Sequence, residues 1–179
     1  MKPARPHRFE ALRIVLLGLG SAVLFGIAHD QVTARICPEY FTIGHPDLGM
    51  PSVFHSPSPT ILAFGWGLVA TWWVGLPLGV LLAICARVGR WPKLASGQML
   101  RPILVLLGVM ACCAALWGTA CGLSGMGYYL ESVPKEARTG FAIDGCAHRG
   151  SYLSGLVGAV VLCALTLVRR RRLSRGASS

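Results

Sequence analysis

TILAFGWGLVATWWVGLPLGVLLAICA, residues 60–86, decides the class of fold, because it runs for 27 positions without a charged residue. A helix that crosses a bilayer needs roughly 20 consecutive apolar residues. Three other segments, at about 11–28, 102–123 and 151–168, are similarly apolar. Within lipid every backbone polar group needs a partner inside the protein, so such segments cross as helices. The sequence therefore predicts an all-α integral membrane four-helix bundle.

The composition of the whole chain favours the same class. Of its 179 residues, 54% are hydrophobic and 13% are charged, whereas soluble domains carry about 25% charged residues. This length favours one domain. We expect a single membrane domain over 1–179, with outer loops at 29–59 and 124–150 and a basic cytoplasmic tail at 169–179.

The basic residues predict the orientation, because Lys and Arg concentrate in cytoplasmic connections. Thirteen of the 17 basic residues lie before the first span or at its start, between the second and third spans, or after the fourth. They are Lys2, Arg5, Arg8, Arg13, Arg87, Arg90, Lys93, Arg101, Arg169, Arg170, Arg171, Arg172 and Arg175. Both termini are therefore predicted to be cytoplasmic, in a multi-pass protein of a cell membrane.

The basic tail at 169–179 also bears on the expected partners. A formal net charge of +10 is compatible with nucleic-acid binding, but most of the basic residues lie at the ends of the predicted spans. The tail is better explained as a topology signal that contacts anionic lipid headgroups. We expect the lipid bilayer and a membrane-protein partner, and no nucleic acid.

Small residues at four-residue spacing predict how the spans pack. Helices in lipid associate closely at such positions. The first span has Gly18, Ala22 and Gly26, and the second has Gly75 and Gly79. Similar pairs in the third and fourth spans favour a compact bundle.

Pro77 and the tryptophans give the second span a distinct character. Proline removes a backbone donor, so a kink is expected at Pro77. Trp72 and Trp73 lie near the middle of the span. They are expected either to fill space between helices or to form an aromatic wall for a hydrophobic ligand.

HDQVTARICPEYF, residues 29–41, follows the first span and is rich in ionisable groups. With about 100° per residue and Gly18 at 0°, His29 falls at about 20° and Asp30 at about 120°. If the helix continues outward to Pro38, His29 lies on the small-residue face and Asp30 at its edge.

The segment before the fourth span shows a similar pattern. Asp144 and His148 are four residues apart, close enough to form a hydrogen bond on a helix. They share a face with the small residues of the fourth span. Two spans thus bring one His and one Asp each to the outer mouth of the bundle, with Glu39, His45 and His55 in the adjoining loop.

Three interpretations of these ionisable residues stay open. The first is structural, with ion pairs that tie the outer helix ends together. The second is a divalent metal site for Zn, Mn or Fe, since imidazole with carboxylate suits these ions. The third is metal-free handling of protons or ligands by histidine. The candidate metal ligands are His29, His148, Asp30, Asp144 and Glu39, and the candidate catalytic residues are His29, Asp30, Asp144 and His148.

Each interpretation corresponds to a function. A structural cluster implies a structural, interaction or lipid-binding bundle, which is the function that we expect first. A metal site implies a membrane hydrolase, because a bound metal activates water. A small transporter is a weaker alternative, since no span carries a charge near its centre.

The sequence leaves two covalent features undecided: a disulfide bond and cleavage of the N-terminal segment. Cys37 and Cys146 lie in the two outer connections, where an oxidising compartment permits a disulfide. Residues 1–28 also resemble a secretory signal with a cleavage site after Gly26-Ile27-Ala28. Cleavage there would leave three spans.

Three segments carry a resemblance to other proteins: HDQVTARICPEYF at 29–41, ATWWVG at 70–75 and DGCAHRGSY at 144–152. Together they resemble a group of small, uncharacterised bacterial multi-pass membrane proteins. That group shows a His/Tyr-Asp-Gln-Ile/Val-Thr motif followed by Glu-Tyr-Phe or Glu-Tyr-Tyr. The resemblance implies a fold and a bacterial inner membrane, and no activity.

Overall fold

A computed structural model describes residues 9–176, and every regular element in that range is a helix. The elements are α1 (Glu10–Ile36), α2 (Pro38–Thr42), α3 (Pro51–Phe54), α4 (Pro59–Val69), α5 (Trp72–Arg87), α6 (Gly97–Ser124), a 3-10 turn (Lys135–Ala137) and α7 (Arg138–Gly176). The all-α prediction is confirmed. Three residues of the predicted orientation signal, Lys2, Arg5 and Arg8, lie outside the described range, as do residues 177–179.

Three of these helical segments are long and apolar enough to cross a bilayer: Glu10–Ile36, Gly97–Ser124 and Lys135–Gly176. The pair α4 and α5 qualifies as a fourth only when counted as one bent span. Large apolar side chains such as Leu24, Leu116 and Leu165 are exposed on the long helices. Soluble monomers rarely expose extended apolar surfaces of this kind, which is compatible with a membrane protein.

The break in the second predicted span is not at Pro77. The helix axis bends by 41° between α4 and α5, and Pro77 lies inside α5. The carbonyl of Ala70, at the break, accepts a hydrogen bond from Tyr152 Oη of α7 at 3.3 Å. A side chain from another helix therefore satisfies a backbone group at the break, which lies before Pro77; the predicted kink at Pro77 itself stays a prediction.

Trp72 and Trp73 lie just after this break and point outward. Their side chains are 48% and 58% exposed, so they do not fill space between helices. Neither residue lines the cavity described below. On a membrane-spanning helix, such side chains face lipid.

Glycines allow α1 to approach α4 and α5 closely, as the small-residue spacing predicts. A Cβ atom added at Gly18 would lie 2.6 Å from Gly79 Cα, and one added at Gly26 would lie 2.7 Å from Gly67 O. A methyl group does not fit at either position without movement of the neighbouring backbone. Glycine at these positions is therefore a requirement of the helix packing.

Arg170 anchors the C-terminal part of α7 to the α5–α6 connection. Its side chain is fully buried and donates hydrogen bonds to four backbone carbonyls at the end of α5 and in the connection to α6. The acceptors are Pro92 O at 2.8 Å, Val88 O at 2.9 Å, Trp91 O at 3.0 Å, and Cys85 O. One arginine of the predicted basic tail is thus a packing residue.

The disulfide joins Cys121 of α6 to Cys146 of α7, with Cα atoms 6.5 Å apart. The predicted alternative, a bond between Cys37 and Cys146, is wrong. Cys37 follows α1, where its thiol donates to Glu39 Oε2 at 3.4 Å. Burial raises the pKa of Cys37 to about 12, so this thiol is protonated at neutral pH.

Candidate functional site

The outer half of α1 places two consecutive ionisable residues inside the molecule. Because α1 continues to Ile36, His29 turns toward the cavity between the helices and Asp30 is buried. Thr33 is buried on the same side, whereas Arg35 is exposed. The predicted outward continuation of the helix and the predicted inward faces are confirmed.

Helix α7 supplies the second histidine, and its backbone fixes the tautomer. His148 Nδ1 lies 2.8 Å from the carbonyl oxygen of Asp144. A carbonyl only accepts, so Nδ1 carries the proton and Nε2 keeps its lone pair in the neutral ring. His148 Nε2 lies 3.2 Å from Asp30 Oδ1. Two acceptors do not pair, so this contact requires a proton on Nε2, a proton on Asp30, or a cation between the two atoms. The expected side-chain pair between Asp144 and His148 does not form.

His29 completes a group of three potential ligands. Its ring centroid lies 4.5 Å from that of His148, with the two rings 75° apart. One ligand atom from each of His29, Asp30 and His148 lies within 4.8 Å of the other two. His29 Nε2 is buried, and no described residue forms a hydrogen bond with it. Such a nitrogen is an available metal ligand.

Two of the five predicted metal ligands stand outside this group. Asp144 is fully buried; the backbone N–H of Cys37 faces its carboxyl group, but no contact with either oxygen among residues 9–176 has the geometry of a good hydrogen bond. Its charge interacts with that of Asp30, so it is a neighbour of the group. Glu39 accepts from the Cys37 thiol. His55 lies farther out, 3.6 Å from Asp47 on the exposed loop.

Aromatic residues after α1 cover the outer side of the group, and the site prediction missed them. The ring of Tyr40 lies 4.7 Å from that of His148, and the ring of Phe41 lies 5.8 Å from it. Burial raises the pKa of Tyr40, so its hydroxyl stays protonated. The signal that could have identified them is the PEYF sequence directly after the helix end.

The imidazole ring of His45 packs beside Tyr40 and Phe41 and also covers the group. Its Nδ1 lies 2.9 Å from Tyr40 O, so Nδ1 donates and Nε2 keeps its lone pair. The ring packs 4.4 Å from Trp66. Burial lowers the pKa of His45, which keeps the imidazole neutral. The predicted approach of His45 to the cluster is supported by its packing on Tyr40, the same ring that contacts His148.

Beneath the group, a cavity of about 140 Å³ lies between α1, α5, α6 and α7. At its outer end it reaches His29, Asp30, His148 and Tyr152. Most of its remaining lining is apolar, from residues such as Phe25, Leu82, Ile103 and Met110. The site thus consists of a polar outer end joined to an apolar interior.

Comparison of the chain with protein-family models, curated proteins and solved structures gives no match. The function is therefore argued from the geometry of the site.

Proposed function

We propose that the chain is a bacterial inner-membrane protein that uses His29, Asp30 and His148 as a divalent metal centre for hydrolysis at its outer face. In this proposal α4 and α5 together form one of four spans, and both termini are cytoplasmic. The basic residues at 87–101 and 169–175 support this orientation, because they lie at the ends of the helices opposite to the cluster.

The observation that carries the proposal is the convergence of three ligand atoms within 4.8 Å. Two ligands bound at about 2.0–2.1 Å in tetrahedral geometry lie roughly 3.3 Å apart. The 3.2 Å between Asp30 Oδ1 and His148 Nε2 matches that spacing. A small movement of the His29 ring would bring its nitrogen to the same spacing.

The contact between His148 and the Asp144 carbonyl also favours a metal. Histidine ligands almost always donate their other ring N–H to a carbonyl, a carboxylate or water, which orients the ring. His148 makes this contact with Asp144 O at 2.8 Å. Its Nε2 lone pair is thereby directed to Asp30 and the cavity.

A purely structural role accounts less well for the same residues. A structural cluster would satisfy its buried polar atoms, because an unpartnered one costs about 1–3 kcal/mol. Here His29 Nε2 is buried without a partner in the described chain, and the buried Asp144 carboxyl has no hydrogen bond of good geometry. A bound ion would satisfy the histidine directly, and a metal-bound water would provide a donor for the carboxylate.

Three protein ligands suit a catalytic ion. Catalytic zinc sites keep three protein ligands and a water, whereas structural sites use four. The metal lowers the pKa of that water and makes it a nucleophile at neutral pH. Asp144, adjacent to the group, is the candidate acceptor for the water proton.

A non-catalytic lipid-binding bundle is the second candidate function. The cavity of about 140 Å³ favours it, since an apolar space between membrane helices suits a short apolar part of a lipid. Metal content separates the two candidates, because lipid binding alone requires no ion.

Metal analysis of the full-length protein tests the proposal. The protein is purified in detergent without chelators, and its metal is measured by inductively coupled plasma mass spectrometry. We expect about one Zn, Mn or Fe per chain. Co²⁺ exchanged into the site should give absorption bands typical of nitrogen and oxygen ligands.

Variants of the same residue type provide the controls. His29→Ala and His148→Ala should lose the metal and the cobalt bands, whereas His55→Ala should keep both. Circular dichroism verifies that each variant is folded. A folded wild-type protein without stoichiometric metal, even after addition of Zn²⁺, would refute the metal centre.

A further inference from the structure

On one side the cavity is separated from the outer surface of the bundle by single side chains of α7. Tyr152 and Leu156 line the cavity, yet the two residues are 41% and 57% exposed. Residues four positions apart are neighbours on a helix surface, so the pair forms one strip of wall. In a membrane the outward side of this strip faces lipid, because α7 is apolar enough to cross the bilayer. The cavity therefore borders the bilayer directly.

Tyr152 closes this wall beside the three potential metal ligands. Its hydroxyl donates a hydrogen bond to Ala70 O, at the break between α4 and α5. The same residue lines the outer end of the cavity together with His29, Asp30 and His148. A rotation of the Tyr152 side chain would break this one hydrogen bond and open the polar end of the cavity to the bilayer.

The approach from the aqueous side is closed by packed rings. Tyr40 lies 4.7 Å from His148, and Phe41, which is 1% exposed, packs on His45. A water-soluble substrate would have to displace several of these rings. A molecule that comes from the bilayer would displace one tyrosine.

The three ligands lie at the depth of lipid headgroups. His29 is the first residue after the apolar stretch at 11–28. Arg35, about 9 Å farther along α1, is exposed, as is Arg149 next to His148. Arginines near the ends of membrane helices extend to the interface between hydrocarbon and headgroups. The phosphate groups of phospholipids lie on the polar side of the same interface.

We infer that the group takes its substrate from the outer leaflet of the bilayer. The substrate is a phospholipid, whose phosphate reaches His29, Asp30 and His148 sideways, past Tyr152 and Leu156, while its acyl chains stay in the membrane. For the phosphate contact this inference rests on the proposed metal centre, whereas the lateral route rests on the cavity wall alone.

Charge and size favour the phosphate group. A divalent ion held by two neutral imidazoles and one carboxylate keeps one positive charge, and the phosphodiester of a phospholipid supplies one negative charge. Unpaired charge is costly in a site shielded from water. The cavity volume of about 140 Å³ is close to the volume of about 150 Å³ that holds one benzene molecule. A phosphate group has fewer heavy atoms than benzene, so the headgroup end alone can enter.

Cobalt spectroscopy tests the inference, because the Co²⁺ absorption bands respond to a new oxygen ligand. Cobalt-loaded full-length protein in detergent micelles is titrated with phosphatidylglycerol. Glycerol phosphate is the soluble headgroup control, and diacylglycerol is the lipid without phosphate. We expect a saturable band shift with phosphatidylglycerol, an apparent affinity at least tenfold weaker for glycerol phosphate, and no shift with diacylglycerol. An equal response to glycerol phosphate would overturn the lateral route.

Two leucines of α7 provide matched variants. Leu156 lines the cavity, whereas Leu153 is 51% exposed and lies outside the lining. Leu156→Trp should obstruct the opening and weaken the response to phosphatidylglycerol at least tenfold, and Leu153→Trp should leave it unchanged. Both folded variants should keep the cobalt bands of the lipid-free protein. Equal responses of the two variants would overturn the inference.

Tyr152→Phe tests the movable part of the wall without added bulk. Phenylalanine keeps the ring but cannot donate to Ala70 O, so the ring should move aside more readily. We expect the rate of the band shift, followed by stopped flow, to rise at least threefold. Tyr128→Phe, at an exposed position outside the lining, should leave the rate unchanged. Equal rates for the two variants would exclude Tyr152 as the gate.

The same assays separate failure here from failure of the proposed function. Stoichiometric cobalt without a response to phosphatidylglycerol would overturn the lateral substrate and leave the metal centre intact. If the protein binds no cobalt, retained phosphatidylglycerol is counted by native mass spectrometry. One retained lipid that is lost in Leu156→Trp and kept in Leu153→Trp would support the route and refute the metal centre. Equal retention in both variants, or none in the wild type, would refute both.

Discussion

Asp30 Oδ1 and His148 Nε2 lie 3.2 Å apart although 118 positions separate them in the sequence. The contact joins α1 to α7 at a buried point, while Gly18 and Gly26 of α1 pack against α4 and α5. The position of both side chains is therefore set by the ends of two long helices. Such helices are rigid supports for a binding site.

Asp30→Asn should separate charge from shape at this contact. The amide N–H of asparagine can donate to the lone pair of His148 Nε2, so the fold should persist with little change in the melting temperature. The loss of the carboxylate ligand should lower Zn²⁺ affinity at least tenfold, measured by competition with a chromophoric zinc indicator. Asp47→Asn, on the exposed loop, is the control. Equal affinity of both variants would exclude Asp30 as a ligand.

Arg170→Gln should be among the most destabilising single changes in α7. The variant leaves carbonyls of the α5–α6 connection without their charged donor, and a hydrogen bond to a charged group contributes about 1.5–3 kcal/mol. We expect a loss of at least about 3 kcal/mol in the free energy of unfolding, followed by thermal denaturation in detergent. Arg171→Gln, which alters an exposed residue, should change stability by less than about 0.5 kcal/mol.

Gly67→Ala should weaken the packing of α4 on α1. A Cβ atom there would lie 2.5 Å from the backbone nitrogen of Ile27, and such overpacking costs about 1–3 kcal/mol. Gly20→Ala is the matched control, because nothing lies within 4 Å of its added Cβ. We expect Gly20→Ala to be neutral or to stabilise by up to about 1 kcal/mol. Similar melting temperatures for the two variants would contradict the close helix contact.

Cys146→Ser should remove the covalent link between α6 and α7. A bond that closes a 25-residue loop stabilises by about 3.5 kcal/mol in the chain-entropy model. A reducing agent should lower the melting temperature of the wild type and leave that of Cys146→Ser unchanged. Cys112→Ser, at an exposed position, should still respond to the reductant as the wild type does. A wild type that is insensitive to complete reduction would count against a stabilising bond.

Much of the fold could be predicted from the sequence, because the length of an apolar segment and the spacing of its glycines are local properties. These properties identified α1, α6 and the small-residue faces of the spans, two of which meet at Gly18 and Gly79. The break between α4 and α5 was not predictable. Tyr152, a residue of another helix, donates a hydrogen bond to Ala70 O at the break, and the local sequence signal, Pro77, does not indicate this contact.

The candidate site was predictable to a lesser degree. Helical geometry gave the inward faces of His29 and Asp30, since the helix continues without interruption to Ile36. The partner of His148 depends on the axial position of α7 relative to α1, which a single sequence does not specify. The same applies to the disulfide, where the register of α6 on α7 selects Cys121 over Cys37.

The Cys121–Cys146 bond depends on the direction in which the chain is inserted into the membrane. Disulfides persist in the periplasm and are rare in the cytosol. Cys146 lies two residues from His148. The redox state of Cys121 and Cys146 therefore indicates which compartment the cluster faces. The mass of the alkylated peptide from living cells therefore serves as a built-in reporter of insertion direction: an oxidised pair marks the proposed orientation, and two free thiols would mark an inverted molecule.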